Sequence, residues 1–382
     1  MSSSGYYICD GKRFDSKIRA CIYSTEFKKP IQWMFHQDIF STYPWWIEPQ
    51  ETLDELYDKR ARELREKYDY IMLSYSGGAD SHNMLQSFIR QGLHVDEIIT
   101  NHVTNATKSV TVLNANNRDS TNFAAEHQLH TIPRLKELHN KLPRTKITVL
   151  DVSDKIFNAL KKEDDANWIL SKTDSLAIGQ TFRYDYFDFI DINKTLDKNK
   201  TYAFISGVDK PKSYISHDKF YLYLNDTTAN ITPIYDYNKY PNLHVEFFYW
   251  DRTTAKLICK QGHIIKKWIE YVPSLQKLWR SADYKKSRLI IEPLLRDIIY
   301  TTWNKEWYQA DKSTGQFHNN QFENWFFNEK KDTREYFIWN RGIEYLIANA
   351  KDYIQYNELG MPDGLTQFKQ TYCLGKIKKF MI

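Results

Sequence analysis

The residues best suited to chemistry lie in one short run, Leu73-Ser74-Tyr75-Ser76-Gly77-Gly78-Ala79-Asp80-Ser81. Two successive glycines let a backbone approach an anion closely and adopt angles closed to other residues. A helix that follows them turns its unpaired N–H groups and positive dipole end toward the same point. Ser76 and Ser81 add hydroxyls, so the natural occupant is a phosphate or pyrophosphate. Asp80, acidic beside such a ligand, makes sense mainly as a Mg²⁺ contact. A second run, Ser206-Gly207-Val208-Asp209-Lys210-Pro211-Lys212, offers a sharp exit at Gly207 and positive charge from Lys210 and Lys212 for a leaving pyrophosphate. Lys212 reads equally well as a solvated turn lysine, and Asp209 as a metal or substrate contact or a plain turn residue.

These runs need elements to hold them. Tyr70-Ile71-Met72-Leu73-Ser74-Tyr75 reads as a buried strand, and a helix-period segment with Met84, Leu85, Phe88 and Ile89 follows the glycines, closed by Gly92. That helix is expected to begin at Ser81. Val95 to Thr100, Ile147 to Asp151 and Thr201 to Ser206 read as further strands, with a helical segment around Asn122 to Glu126 between the second and third. Alternating strands and helices imply an α/β, Rossmann-like parallel sheet with helices on both faces, and such sheets bind ligands at the carboxyl ends of their strands. Before it, Glu51 to Lys67 carries Leu53, Leu56, Tyr57, Ala61 and Leu64 at helical spacing, with Glu55/Lys59, Asp58/Arg62 and Glu63/Lys67 spaced for i,i+4 pairs. The division expected is residues 1–50 as an N-terminal extension packed on the body, 51–240 as the α/β nucleotide domain and 241–382 as a mainly helical C-terminal region for substrate or partner. The extension holds strand-like pieces at Ala20 to Tyr23 and Ile31 to Phe35. In the C-terminal region Leu257, Ile258, Ile264, Ile265, Trp268 and Ile269 share a helical face, and Glu344 to Ile354 looks similar. Asp311 to Asn320 reads as a polar loop.

The glycine run has neither the Lys-Ser/Thr ending of the Walker loop nor the three-glycine dinucleotide fingerprint. It resembles the Ser-Gly-Gly-x-Asp-Ser loop of the PP-loop ATP pyrophosphatases, the adenine nucleotide alpha hydrolase-like superfamily. That superfamily includes the asparagine and GMP synthetase domains, NAD synthetase, tRNA thiolation and lysidine enzymes, and phosphoadenylylsulfate reductases. All six positions match at 76–81, and the likeness extends over about 68–212. The resemblance implies ATP and Mg²⁺ as cofactors: the loop holds the β- and γ-phosphates, a substrate oxygen attacks the α-phosphate, and the adenylate is displaced by a nitrogen or sulfur nucleophile. It implies catalytic roles for Asp80 and Lys210 and metal contact for Asp80. It also implies nucleotide contacts from Ser74, Ser76, Gly77, Gly78, Ala79, Asp80, Ser81, Asn101 and Gly207. Asn101-His102-Val103-Thr104 falls where members contact adenine. His102, Asp151 and His82 lie near the same expected edge, each open to a polar structural role instead.

The sequence narrows the branch. Four cysteines, at 9, 21, 259 and 373, form no C-x-x-C pair, and Cys373 lacks the glutamate-cysteine-glycine setting of the reductases, which disfavours sulfur chemistry. The Leu-Ser-Tyr-Ser-Gly-Gly opening nevertheless resembles the reductase loop. With Ser at position 2 there is no N-terminal cysteine for a glutaminase, so ammonia, an amine or a partner must supply nitrogen. The expected enzyme is an adenylating ligase acting on a carboxylate or carbonyl oxygen. The alternatives are a nucleobase, tRNA or DNA modification enzyme, a reductase-like sulfur enzyme, and a nucleotide-binding module without catalysis.

Composition bounds the rest. The 382 residues carry 53 basic and 48 acidic side chains, 42% hydrophobic residues and 27 tyrosines, which is ample for a buried core and excludes a disordered chain. A formal net charge of +5 is too thin to argue for nucleic acid by itself. Lys256, Lys260, Lys266, Lys267, Lys277, Arg280, Lys285, Lys286 and Arg288 read as a solvated face interrupted by Glu270, Asp283 and Glu292, with a nucleic-acid face the competing reading. Glu126-His127-Gln128-Leu129-His130 reads as a helix end rather than a metal site, and Trp303 and Trp307 as packing anchors or a pocket floor. No aliphatic run approaches the roughly 20 residues of a membrane span, and the opening Met-Ser-Ser-Ser-Gly lacks signal-peptide character. A cytoplasmic protein with a small-molecule or nucleotide substrate is expected.

Overall fold

The computed structural model describes residues 5–102, 131–171, 176, 187, 196–208, 210–226, 239–280, 291, 294–303, 320–356, 360 and 362–378. The expected helix around 122–126, the histidines at 127 and 130, Asp209, residues 281–290, Trp307 and the loop at 311–319 lie outside them.

The chain opens with an antiparallel sheet of β1 (Tyr6–Cys9), β2 (Lys12–Phe14) and β3 (Ile31–Met34), in the order β2-β1-β3, with helix α1 (Lys17–Phe27) between its last two strands. The strand expected at Ala20 to Tyr23 is therefore helical. Ser16 accepts from the Arg19 N–H as an N-cap, and Lys17, Ile18, Ala20, Cys21 and Ser24 bury one face, a helical period overriding the short β-prone run. A short helix, α2 (Gln37–Phe40), leads to α3 (Leu53–Lys67), which starts at a Thr52/Glu55 capping box.

Five parallel strands form the centre: β4 (Tyr70–Ser74), β5 (Glu97–His102), β6 (Lys146–Asp151), β7 (Tyr202–Ser206) and β10 (Leu243–Phe247), in the order β10-β7-β4-β5-β6. The sheet is thus Rossmann-like, as its strand spacing predicts. From β4 the chain moves one way, to β5 and β6; from β7 it moves the other, to β10. The switch point lies between the carboxyl ends of β4 and β7, where Ser74 pairs with Ser206. Helices α4 (Ala79–Arg90), α5 (Ile132–Lys141) and α6 (Ser153–Leu160) connect the first half. The central strands are buried on both faces, with Ile71, Leu73, Ile98, Ala203 and Ile205 in one apolar cluster and Met72, Ile99, Tyr202 and Phe204 in another.

A second antiparallel sheet, β13-β9-β8, joins the hairpin β8 (Lys212–Ser216) and β9 (Lys219–Asn225) to the late strand β13 (Lys369–Lys376). Between them come helices α7 (Ala255–Tyr271), α8 (Gln276–Arg280), α9 (Asn320–Glu329) and α10 (Arg334–Ala350), and the hairpin of β11 (Ile354–Tyr356) and β12 (Pro362–Leu365). Among the described residues no helix is long and apolar enough to cross a membrane.

The i,i+4 pairs expected along α3 give way to tertiary partners. Glu55 closes the capping box, Asp58 accepts from Arg90 Nε at 2.9 Å and through a short bond from its Nη2, and Lys67 reaches Glu246 at 2.7 Å. A buried carboxylate gains more from a guanidinium fork than from a solvated neighbour on its own helix. The result locks α3 to α4, the helix that carries the glycine run.

Candidate functional site

β4 ends at Ser74, and Tyr75 continues toward β5 by donating its N–H to Ile99 O at 2.8 Å. The chain then turns through Gly77, whose φ of +79° is the left-handed conformation glycine takes without strain. A Cβ there would stand 2.9 Å from Thr131 Oγ1, and that hydroxyl donates to Ser76 O at 2.8 Å, so the turn is braced from the start of α5. Gly78 is the N-cap of α4 and supplies no side-chain cap. The helix begins at Ala79, two residues earlier than expected, which places Asp80 in its first turn, next to the positive dipole end. Ser81 Oγ donates to Gly78 O at 3.1 Å and lies 3.3 Å from both the Ser76 N–H and Ser76 Oγ. Hydroxyls and the helix start thus converge on one small cradle, with Ser76 exposed.

The segment leaving β7 closes on this cradle. Gly207 packs so tightly that a Cβ would meet Asp80 O and Ser81 Cα at 3.1 Å. Glycine is favoured here by close approach, not by an unusual φ. Lys210 follows, and its Nζ sits 2.8 and 3.0 Å from the two Asp80 carboxylate oxygens. Two sequence-distant candidates, at the ends of adjacent strands, therefore meet as an ion pair.

That pair is asymmetric. The Lys210 side chain is 5% exposed and that of Asp80 31%. Burial pushes the Asp80 pKa up, but the Lys210 charge, the Lys210 and Tyr300 hydrogen bonds and the more distant Arg296 outweigh it, so the carboxyl stays below its ordinary value. Tyr300 donates a short hydrogen bond to Asp80 Oδ1, and Tyr249 donates to Asp80 O at 2.8 Å while accepting from Asn83 at 3.1 Å. Both phenols are buried, which lifts their pKa values well above the usual one and keeps them neutral donors.

The remaining expected positions spread along the same edge. Asn101 is exposed near the end of β5, and Asp151, half-buried, ends β6 opposite His102 in register. Lys212 opens β8. His82 is buried rather than exposed: it is 5% exposed, its Nδ1 lies 3.1 Å from the Tyr75 hydroxyl, and burial with the nearby Arg134 charge lowers its pKa to about 4. Of the basic cluster expected on the C-terminal helices, Lys256 pairs with Glu51, Lys260 and Lys267 with Glu48, and Lys266 with Glu270. Much of its charge is spent internally.

The sequence reading passes over Tyr300, Tyr249 and Thr131. Tyr249 carries a usable signal, since it stands two residues beyond β10, at the carboxyl end of a central strand. Tyr300 and Thr131 reach the loop from 220 and 55 residues away and carry none.

The donor set suits an anion: two hydroxyls, an uncapped helix start, an ammonium and two positions where a side chain would intrude. For a divalent cation, the described residues hold no cluster of three or more His, Cys, Asp or Glu side chains. A single carboxylate such as Asp80 would suffice only for a cation that arrived with phosphates and kept its waters. No family model matches the chain, and no curated protein matches it.

Proposed function

We propose that the chain is an ATP pyrophosphatase of the PP-loop type, an enzyme that adenylates a substrate oxygen and releases AMP and pyrophosphate. The observation that carries this reading is the Asp80–Lys210 pair, which joins the glycine turn to the exit of β7 at the switch point. Ser76, Gly77, Gly78, Ala79 and Ser81 would hold the β- and γ-phosphates, with Ser74, Asn101 and Gly207 lining the nucleotide. Asp80 would hold Mg²⁺, which supplies charge neutralisation across the phosphates when bound. Lys210 exchanges the Asp80 carboxylate for the pyrophosphate leaving group, and Tyr300 keeps the Asp80 oxygens oriented while that exchange occurs. Asp80 is already ionised at neutral pH, so no proton has to move for it to take a cation.

The acceptor proposed is a carboxylate or carbonyl oxygen whose adenylate is attacked by ammonia or an amine. A nucleobase acceptor is the second reading, favoured by the sheet face described below. The four cysteines are free thiols, three of them buried, which supports a reducing, cytoplasmic setting and gives a reductase-like sulfur step no thiol at the switch point among the described residues.

The test is product identity. With Mg²⁺, α-labelled ATP and desalted or undesalted cell extract, the expected products are AMP and pyrophosphate, lost in Asp80→Asn although that variant stays folded. ADP as the product, or AMP formed equally by the variant, would overturn the assignment. Nucleotide binding with no turnover under any extract would leave a binding module instead.

A further inference from the structure

The β13-β9-β8 sheet has two unlike faces. Inward it buries Ile215, Phe220, Leu222, Leu224, Tyr372 and Leu374. Helix α7 approaches that side at Gly262, where a Cβ would meet Leu222 and Leu374 at under 3 Å, and Trp279 of α8 donates to Ser213 at 2.9 Å. Outward, by strand alternation, stand Lys212 and Tyr214 on β8, Lys219, Tyr221 and Tyr223 on β9, and Lys369, Thr371 and Cys373 on β13. The register sets Thr371, Tyr223 and Lys212 in one row and Cys373, Tyr221 and Tyr214 in the next.

The three tyrosines are half-buried and form one aromatic surface. Tyr214 stacks on Tyr221 with ring centres 5.1 Å apart and planes 12° from parallel, and lies 5.9 Å from Tyr223. Lys369 Nζ sits over Tyr223 and Tyr214 at 5.2 and 5.8 Å. Lysines bracket the rings at both ends, Lys212 and Lys369 at one and Lys219 and Lys376 at the other. The three strands carry no aspartate or glutamate. Among the described residues, Asp218, in the β8–β9 turn, lies 3.8 Å from Lys376.

We infer that this sheet face binds single-stranded nucleic acid, with bases stacking on Tyr214, Tyr221 and Tyr223 and the phosphate backbone running over Lys219 and Lys369. Both halves of that ligand find their chemistry here: aromatic faces accept any base, and a strand surface with lysines and no acids is complementary to a polyanion. A duplex hides its base faces and would leave the tyrosines unused. The face begins close to the switch point in the chain, because Lys212, which opens β8, is two residues beyond Lys210. A strand lying on the tyrosines would run toward the phosphate cradle. Binding needs no ATP turnover, so it stands or falls apart from the adenylation reading.

The test is fluorescence anisotropy of 5′-labelled 15-residue single-stranded RNA and DNA with the full chain, without ATP, at several salt concentrations. Tyr221→Ala and Tyr214→Ala are each expected to weaken binding about tenfold, Tyr221→Phe to retain it, and Lys219→Ala to reduce the salt slope by about one. Asp80→Asn should bind as the wild type does, which separates this face from the phosphate cradle. Cys373, half-buried on the same face while the other three thiols are buried, should be shielded from a maleimide by bound oligonucleotide. No binding at low salt overturns the inference, as does binding indifferent to the tyrosines or matched by duplex DNA or polyglutamate. Binding that leaves Cys373 unshielded places the ligand elsewhere and also overturns it.

Discussion

Two lysine–aspartate pairs in this molecule use the same chemistry to different ends. Lys17 and Asp226 meet at 2.7 Å with both side chains fully buried. Asp226 also accepts from the Tyr7 hydroxyl at 3.0 Å and from the Phe368 N–H at 3.1 Å, tying α1, β1 and the approach to β13 together behind an apolar wall. Lys210 and Asp80 meet at 2.8 Å, but Asp80 stays about a third exposed, beside a glycine turn and a helix start that present donors to solvent. A sealed pair can only hold elements together. A pair with one open side can exchange partners, which is what a phosphate and its cation would require. Exposure of the carboxylate, rather than the presence of a buried charge pair, marks the site.

The sharpest break in this comparison is Lys17→Met. It leaves Asp226 as a buried carboxylate without its cation and should cost about 3–5 kcal/mol in urea unfolding, with nucleotide affinity unchanged in the folded fraction. Asp80→Asn should behave in the opposite way, lowering turnover by about 100- to 1000-fold while shifting unfolding far less. A loss of stability in Asp80→Asn as large as that in Lys17→Met would make the two pairs equivalent and remove the distinction.

His82 gives a pH-dependent version. Its pKa is lowered to about 4, below the ordinary value near 6.5, so between those limits the unfolded chain binds the extra proton. Its contribution is full above pH 6.5 and is lost as pH falls toward 4, amounting to about 3 kcal/mol at most. His82→Phe should flatten stability over that window, and an unaltered slope would show that His82 is not buried neutral. The smallest effect expected is that of Gly77→Ala, which forces a Cβ against Thr131 at a left-handed φ. A loss of about 1–2 kcal/mol with weakened ATP binding would place the turn, without any charge change, in the site; unaltered affinity would make it a passive turn.

The central sheet was legible because each of its first strands is a short apolar run next to the helix that follows it, so local pattern and tertiary structure agree. The glycine turn was legible for the same reason, since strand, turn and helix are contiguous in sequence. The meeting of Asp80 with Lys210 followed from topology, given that both runs end strands of one sheet. Three parts were not legible. The helix at Lys17–Phe27 hides behind a β-prone quartet because its period shows only over the longer segment. The β13-β9-β8 sheet pairs Tyr221 with Cys373, and no local pattern reports a register across that separation. Tyr300 contacts Asp80 from 220 residues away, in a segment that carries no motif.

The most direct measurement is calorimetric titration of ATP·Mg²⁺, and separately of pyrophosphate, into the wild type, Lys210→Met and Lys17→Met, because it requires no knowledge of the acceptor. The account predicts binding by the wild type and Lys17→Met, and its loss or at least about tenfold weakening in Lys210→Met for both ligands. Equal affinity in all three proteins, or no binding of either ligand by the wild type, would contradict it.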